Sequence, residues 1–251
     1  MMVNKRPVTI YLMPWGRVGS NLVNSIMEQG QNVTVYNEPL TPIDMKCRRQ
    51  NLSEDETWVQ QEIWLKTKIL TDKGTHPIFL NLAAVHIKDP KAFTALMAQC
   101  DPVYLVHDRH DVVATVVSAM RTQAWVQEGV EKGEKRGWSL PKGGEVKFRP
   151  RIEITDFLKM TNVVENGRKI IAQITQGQHA TTYYYEDILF DMEGVIVDIF
   201  AKARIPYHPY EVKSGKFGSE ALADMVENAS ELSAAIIAQA IPTQLILEDG
   251  L

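Results

Sequence analysis

The sequence predicts an α/β fold in which a central parallel sheet of about five strands is flanked by helices. Three observations predict it. Short, continuous apolar runs recur along the chain, as strands buried on both faces require. Segments with helical spacing separate them. The first run passes through a tight glycine turn into a helix and then a second strand, which is a β-loop-α-β unit.

The elements follow in order. Val8 to Met13 is the first strand, stopped by Pro14 and Gly16. Ser20 or Asn21 can cap a helix carrying Leu22, Val23, Ile26 and Met27, with Gly30 at its end. Residues 32 to 36 form a second strand. Residues 54 to 70 read as helical, with Trp58, Leu65 and Ile69 facing inward. Pro77 to Leu82 is the third strand. Asp89-Pro90 opens a helix, a capping Asp followed by Pro at the first helical position, with Phe93, Leu96 and Met97 at helical spacing. Residues 102 to 106 make the fourth strand, and a helix from about Asp111 carries Val112, Val113, Val116, Val117 and Met120.

From Glu128 to Pro150 the pattern breaks into five glycines, two prolines and alternating charges, the composition of a mobile lid or substrate loop. A long helix over about 153 to 175 and a fifth strand over 179 to 185 follow. Asp191 caps a helix with Val195, Ile199 and Phe200 inward. A loop around Lys213 to Lys216 then leads to helical segments, of which the Ala- and Ile-rich one near 233 to 241 serves either the core or a contact between copies of the chain.

The totals bound the class. A chain of 251 residues with even composition is read as one domain, 1–251, with 128–150 as its lid. The balance of 27 basic against 31 acidic residues argues against a protein built to coat nucleic acid. Cys47 and Cys100 form no Cys-x-x-Cys pattern, so neither a disulfide framework nor a metal site is expected. Lys5 and Arg6 precede an apolar run that ends at Pro14 without a small-residue cleavage site, and no stretch is long enough to span a bilayer. A cytoplasmic enzyme or binding protein is the expectation.

The chemistry concentrates in Pro14 to Asn21. A strand, a glycine turn and a helix N-terminus form an anion site, because unpaired amides and the helix dipole point at the ligand. Gly16 and Gly19 let the backbone approach phosphate oxygens, Arg17 offers a fixed cation, and Ser20 offers a hydroxyl. Gly-x-x-Gly-Ser is also found in plain βα turns. The Gly-Lys-Ser/Thr of magnesium-triphosphate kinases and the Gly-x-Gly-x-x-Gly of nicotinamide enzymes are both absent. A second candidate pair follows the fourth strand: Arg109 at its end and Ser118 two turns into the next helix. Taken alone, they also read as a surface ion pair and a packed hydroxyl.

Together these segments resemble the sulfotransferases that use 3′-phosphoadenosine 5′-phosphosulfate. Gly16-Arg17-Val18-Gly19-Ser20-Asn21 is similar to their 5′-phosphosulfate loop, with Val18 and Asn21 where Ser and Thr are commoner. Arg109 and Ser118 are similar to their 3′-phosphate pair. Arg-x-Asp-Val-Val-x-x-x-Val-Ser followed by Arg121-Thr122-Gln123-Ala124-Trp125, together with Glu38-Pro39, looks like bacterial trehalose-type members. Tyr185-Glu186-Asp187-Ile188 is similar to the Tyr-Glu-Asp-Leu found late in many of them. The resemblance implies a three-layer P-loop-like fold. It also implies 3′-phosphoadenosine 5′-phosphosulfate as donor, no metal, and a small-molecule or carbohydrate acceptor.

It further implies that the loop residues Gly16, Arg17, Val18, Gly19, Ser20 and Asn21 bind the donor with Arg109 and Ser118. Arg17, the nearest stand-in for the catalytic lysine this loop lacks, and Glu38 carry the catalysis, Glu38 as base. Glu38 can instead cap the Pro39 turn, and His86, His107 and His110 are alternative bases. Lys213 and Lys216 either reach the 3′-phosphate or form a solvated basic turn. Trp125 and Trp138 either line an acceptor site or, for Trp125, pack a helix. A small-molecule or nucleotide kinase, and a non-catalytic nucleotide-binding protein of the same fold, remain the other readings.

Overall fold

The computed structural model describes residues 6–16, 18–136, 140–141, 148–212, 214–215, 221–245 and 247. In chain order the main elements are β1 (Val8–Met13), α1 (Ser20–Met27), β2 (Thr34–Asn37), α2 (Leu40–Arg49), α3 (Glu54–Leu65), β3 (Ile78–Ala83), α4 (Pro90–Met97), β4 (Val103–Asp108) and α5 (Val112–Glu131). They continue as β5 (Leu140–Pro141), α6 (Ile154–Thr175), β6 (Ala180–Tyr184), α7 (Tyr185–Phe190), α8 (Met192–Ala203), β7 (Ser214–Gly215) and α9 (Ala229–Ala238). The chain divides into two compact units, Met1–Asp108 with Glu165–Glu211, and Arg109–Val164 with Val212–Leu251.

The first unit holds a five-stranded sheet in the order β2-β3-β1-β4-β6, every neighbouring pair parallel. β1 is central and buried at all six positions, as its unbroken apolar run predicts. Its side chains alternate between two cores. Val8, Ile10 and Leu12 meet Leu40, Leu65, Phe93 and Ile171, from α2, α3, α4 and the later part of α6. Tyr11 faces the other way, into Val23, Ile26, Ile188, Ile199 and Phe200 of α1, α7 and α8. Helices on both faces make three layers, the architecture expected from sequence.

Particular boundaries shift. α1 is not capped by Ser20 or Asn21: Gly19 precedes it in a left-handed conformation (φ 93°), and Ser20 is its first residue. The strand expected over 179–185 ends at Tyr184, and Tyr185 opens the short α7. α3 gives way to a π-helical turn over Lys66–Leu70 that keeps Ile69 buried.

In the second unit, α5 runs through Glu131, so the expected lid begins inside a regular helix, and residues 137–139 and 142–147 of it lie outside the described residues. Ser214–Gly215, expected in a loop, pairs antiparallel with Leu140–Pro141. α9 buries Leu232 and Ile236 and exposes Ile237. Among the described residues no helix is long and apolar enough to cross a membrane.

Candidate functional site

In an open parallel sheet, ligands bind beyond the carboxyl ends of the strands. In the first unit this edge carries the loop after β1 and the turn after β2. The loop is fixed from three sides. Pro14 lies against α6 at Gly167, where a Cβ would stand 2.1 Å from the Pro14 carbonyl oxygen. Val18 turns its side chain into the core beside Met13 and Ala83, so only its backbone can serve a ligand. Gly19 adopts φ 93°, and a Cβ there would meet the Tyr185 ring at 2.8 Å and His107 Cε1 at 3.4 Å. Glycine is thus required both by conformation and by close packing. A Cβ at Gly16 would meet no atom within 4 Å.

Among the described residues no side chain caps α1, and its first turn holds no acidic residue. A helix start without a cap leaves amide donors and the positive end of the dipole for another partner. Ser20 is buried in this turn and Asn21 is exposed. Arg17 lies outside the described residues.

Glu38 follows β2 with φ 47°, its amide donating to the Asn81 carbonyl at 2.9 Å. An amide cluster ties this turn to α1: Asn24 of α1 and Asn81 of β3 both donate to Asn37 Oδ1, at 3.0 and 2.8 Å. Burial raises the Glu38 carboxyl above its usual range, against smaller opposing effects from His86 and from the Thr41 hydroxyl, which donates to it at 3.4 Å. Glu38 is therefore held nearer to its proton than a solvated glutamate.

His86 is fixed by a buried carboxylate. Asp44 of α2, with no exposed side-chain surface, contacts His86 Nδ1 at 2.7 Å, Arg48 at 2.9 Å and Lys88 at 3.0 Å. These partners hold the Asp44 pKa low against its burial. Gln61 of α3 accepts from the Lys88 amide at 3.2 Å and donates to the His86 carbonyl at 2.5 Å, locking the same turn. His107 is fully buried in β4, and burial lowers its pKa to about 3, which removes it as a general base near neutral pH.

Arg109 and Ser118 both belong to the second unit. Arg109 is half-buried and Ser118 is buried on α5, where its carbonyl accepts from the Thr122 hydroxyl. Between them, Asp111 caps α5 by accepting from the Ala114 amide at 2.8 Å. Arg121 donates to the Phe148 carbonyl at 2.7 Å. Trp125 is packed by Phe148 and covered by the Arg136 guanidinium, 3.8 Å from the ring centroid, so the helix-packing reading accounts for it. Trp138, Lys213 and Lys216 lie outside the described residues. Among those described, no group of three His, Cys, Asp or Glu is placed to hold a metal ion.

Sequence reasoning missed the Asn24–Asn37–Asn81 cluster, Asp44 and Gly167. Gly167 alone carried a signal, as an isolated glycine inside a long helical pattern.

No protein-family model matches the chain, and no curated protein sequence matches it. Among the solved structures similar to it are two sulfotransferases. One is a sulfotransferase from Alicyclobacillus acidocaldarius, at 10% identity over 92% of this chain and 93% of that one, with a TM-score of 0.47. The other is the sulfotransferase domain from the curacin biosynthetic pathway, at 13% identity over 98% and 95%, also with a TM-score of 0.47.

Proposed function

We propose that the chain is a sulfotransferase that moves a sulfuryl group from 3′-phosphoadenosine 5′-phosphosulfate to a hydroxyl or amine of a small-molecule or carbohydrate acceptor. One observation carries the reading: an uncapped helix N-terminus and a desolvated glutamate, Glu38, share one edge of the sheet. Together they supply what in-line transfer between oxygens needs, a seat for the oxyanion and a proton acceptor. The motif resemblance of Gly16–Asn21, Arg109 and Ser118 gives the seat its ligand.

The donor fits the residues present. Gly16 leaves open space at the loop, and Gly19 brings the backbone close without a side chain. The amides of α1 with Ser20, Asn21 and Arg17 would hold the 5′-phosphosulfate. Arg109 and Ser118, with Lys213 and Lys216, would hold the 3′-phosphate. Bound there, the donor supplies an activated sulfuryl group. Glu38 takes the acceptor proton as the acceptor oxygen bonds to sulfur, and the bond from sulfur to the 5′-phosphate oxygen breaks. Arg17 and the loop amides stabilise the charge that grows on that leaving oxygen. His86, held by Asp44, opposes part of the rise that burial imposes on the Glu38 carboxyl.

A thermal-shift measurement tests this. Adenosine 3′,5′-bisphosphate without magnesium is expected to raise Tm by mass action. A rise with magnesium-ATP and none with the bisphosphate would replace the proposal with a kinase.

A further inference from the structure

Below the α1 turn lies a buried donor that the scheme above does not use. β1 and β4 are neighbours, with Tyr11 opposite Leu105. His107 therefore stands two residues nearer the carboxyl edge than Leu105, on the same face as Tyr11. The Tyr11 hydroxyl is hydrogen-bonded to His107 Nδ1. That bond has a direction. The Tyr11 hydroxyl is fully buried and its pKa is pushed well up by burial, so it keeps its proton. It has no other partner among the described residues to donate to. Nδ1 then accepts, and the ring proton sits on Nε2.

Nε2 is itself buried, and no described residue bonds to it. A buried donor orphaned in this way destabilises the fold unless something accepts from it. The ring's position says what that is. Cε1, the carbon joining the two nitrogens, lies 3.4 Å from the place a Gly19 Cβ would occupy. Nδ1 is taken up by Tyr11, so the ring carbon that approaches Gly19 is bonded directly to the orphaned nitrogen, Nε2. Among the described residues the helix above has no capping side chain, and its first turn holds no acidic residue. Two independent features, an uncapped helix start and an orphaned buried donor, thus meet at Gly19.

We propose that His107 is a ligand-binding residue whose Nε2–H donates to an oxygen of the tetrahedral oxyanion, a sulfate or phosphate ester, seated at the N-terminus of α1. The inference deepens the sulfotransferase reading and rests on it for the ligand's identity. Burial keeps the ring uncharged near neutral pH, so it binds the oxyanion without adding a cation to the seat. Tyr11 acts through His107, as the residue that fixes the tautomer.

The test is proton–nitrogen NMR on the full chain labelled at its six histidines, with adenosine 3′,5′-bisphosphate and inorganic sulfate as probes. His107 is assigned by its loss in His107→Phe. Both probes are expected to shift the Nε2–H resonance downfield and slow its exchange. His107→Phe is expected to weaken bisphosphate binding roughly 10- to 100-fold, the range of a hydrogen bond to a charged group. His107→Gln, which keeps an amide donor, is expected to recover part of that loss. Bisphosphate binding with an unmoved His107 resonance would overturn the inference and leave the sulfotransferase reading standing. A shift with sulfate but no bisphosphate binding would do the reverse. A resonance that neither probe moves would also overturn it. Should His107→Phe not fold, the loss of the same resonance in His107→Gln assigns it, and the wild-type titration then decides.

Discussion

The helices that follow β1 and β4 begin in opposite ways. α5 has its own anion: Asp111 is buried and accepts from the Ala114 amide, from the Thr243 hydroxyl at 2.9 Å and from the Gln244 amide at 2.6 Å. α1 has none, only Gly19 in a left-handed turn. Both helix starts present the same unmet need for negative charge. Asp111 answers it at α5, and among the described residues no side chain answers it at α1. The difference separates a structural helix start from one shaped for a ligand. It also constrains the proposed 3′-phosphate pair: Arg109 and Ser118 would act as side chains, because the dipole of α5 is already met by Asp111.

The main effect on stability is therefore expected at the filled end. Asp111→Ala removes a helix cap and strands the Thr243 hydroxyl and the Gln244 amide. The expected loss is about 1–2 kcal/mol, mainly that of the cap, since the Thr243 and Gln244 donors are only part-buried. Urea unfolding measures it. A loss below about 1 kcal/mol would mean that solvent replaces Asp111, and the contrast between the two helix starts would collapse.

The two starts were not equally legible. Asp89 stands directly before an apolar helical stripe with Pro90 at the first helical position, so local spacing identifies that cap, whereas at Asp111 the spacing marked the helix start and the structure supplied the cap. β1 was legible to the residue because a central parallel strand is apolar throughout. α2 was not, since its buried face includes Asp44, a charge that breaks the apolar stripe. α7 was hidden because it continues β6 without a connecting loop. The contacts that build the α1 site are long-range: Asn81 to Asn37, Gly167 to Pro14, and Tyr11 to His107, which lie 96 positions apart. No local periodicity encodes such pairs. Gly16–Asn21 was visible as a motif, whereas the buried groups that shape it were not.

The open end is expected to respond differently. Gly19→Ala forces a Cβ into the left-handed region and against the Tyr185 ring. The backbone cost is about 1–2 kcal/mol. The larger consequence falls on the ligand: the turn must shift, and affinity for adenosine 3′,5′-bisphosphate is expected to drop on the order of 10-fold, measured by calorimetry. Asp111→Ala should thus read mainly in unfolding and Gly19→Ala mainly in binding. Equal binding by Gly19→Ala and the wild type would remove the α1 start as an anion seat.

The smallest stability change has the opposite sign, and it tests Glu38. Burial raises the folded-state pKa of this carboxyl above 4.5. A raised pKa means that the folded chain holds the proton more tightly than the unfolded chain. The stability this contributes is complete below the unfolded value and is lost as pH rises through the folded one. At neutral pH the ionised, desolvated Glu38 is therefore a net strain on the fold. Glu38→Gln removes that charge, so the variant is expected to melt slightly higher than the wild type at pH 7, with the advantage fading as pH falls toward 4.5. Turnover should move the other way, by a factor of about 10²–10⁴, the usual cost of losing a general base. Bisphosphate affinity should stay within about 2-fold, since Glu38 serves the acceptor. A variant that melts lower at pH 7 would make the carboxylate a structural partner of His86. One that melts higher and keeps its turnover would leave the oxyanion seat in place and transfer the base role to His86.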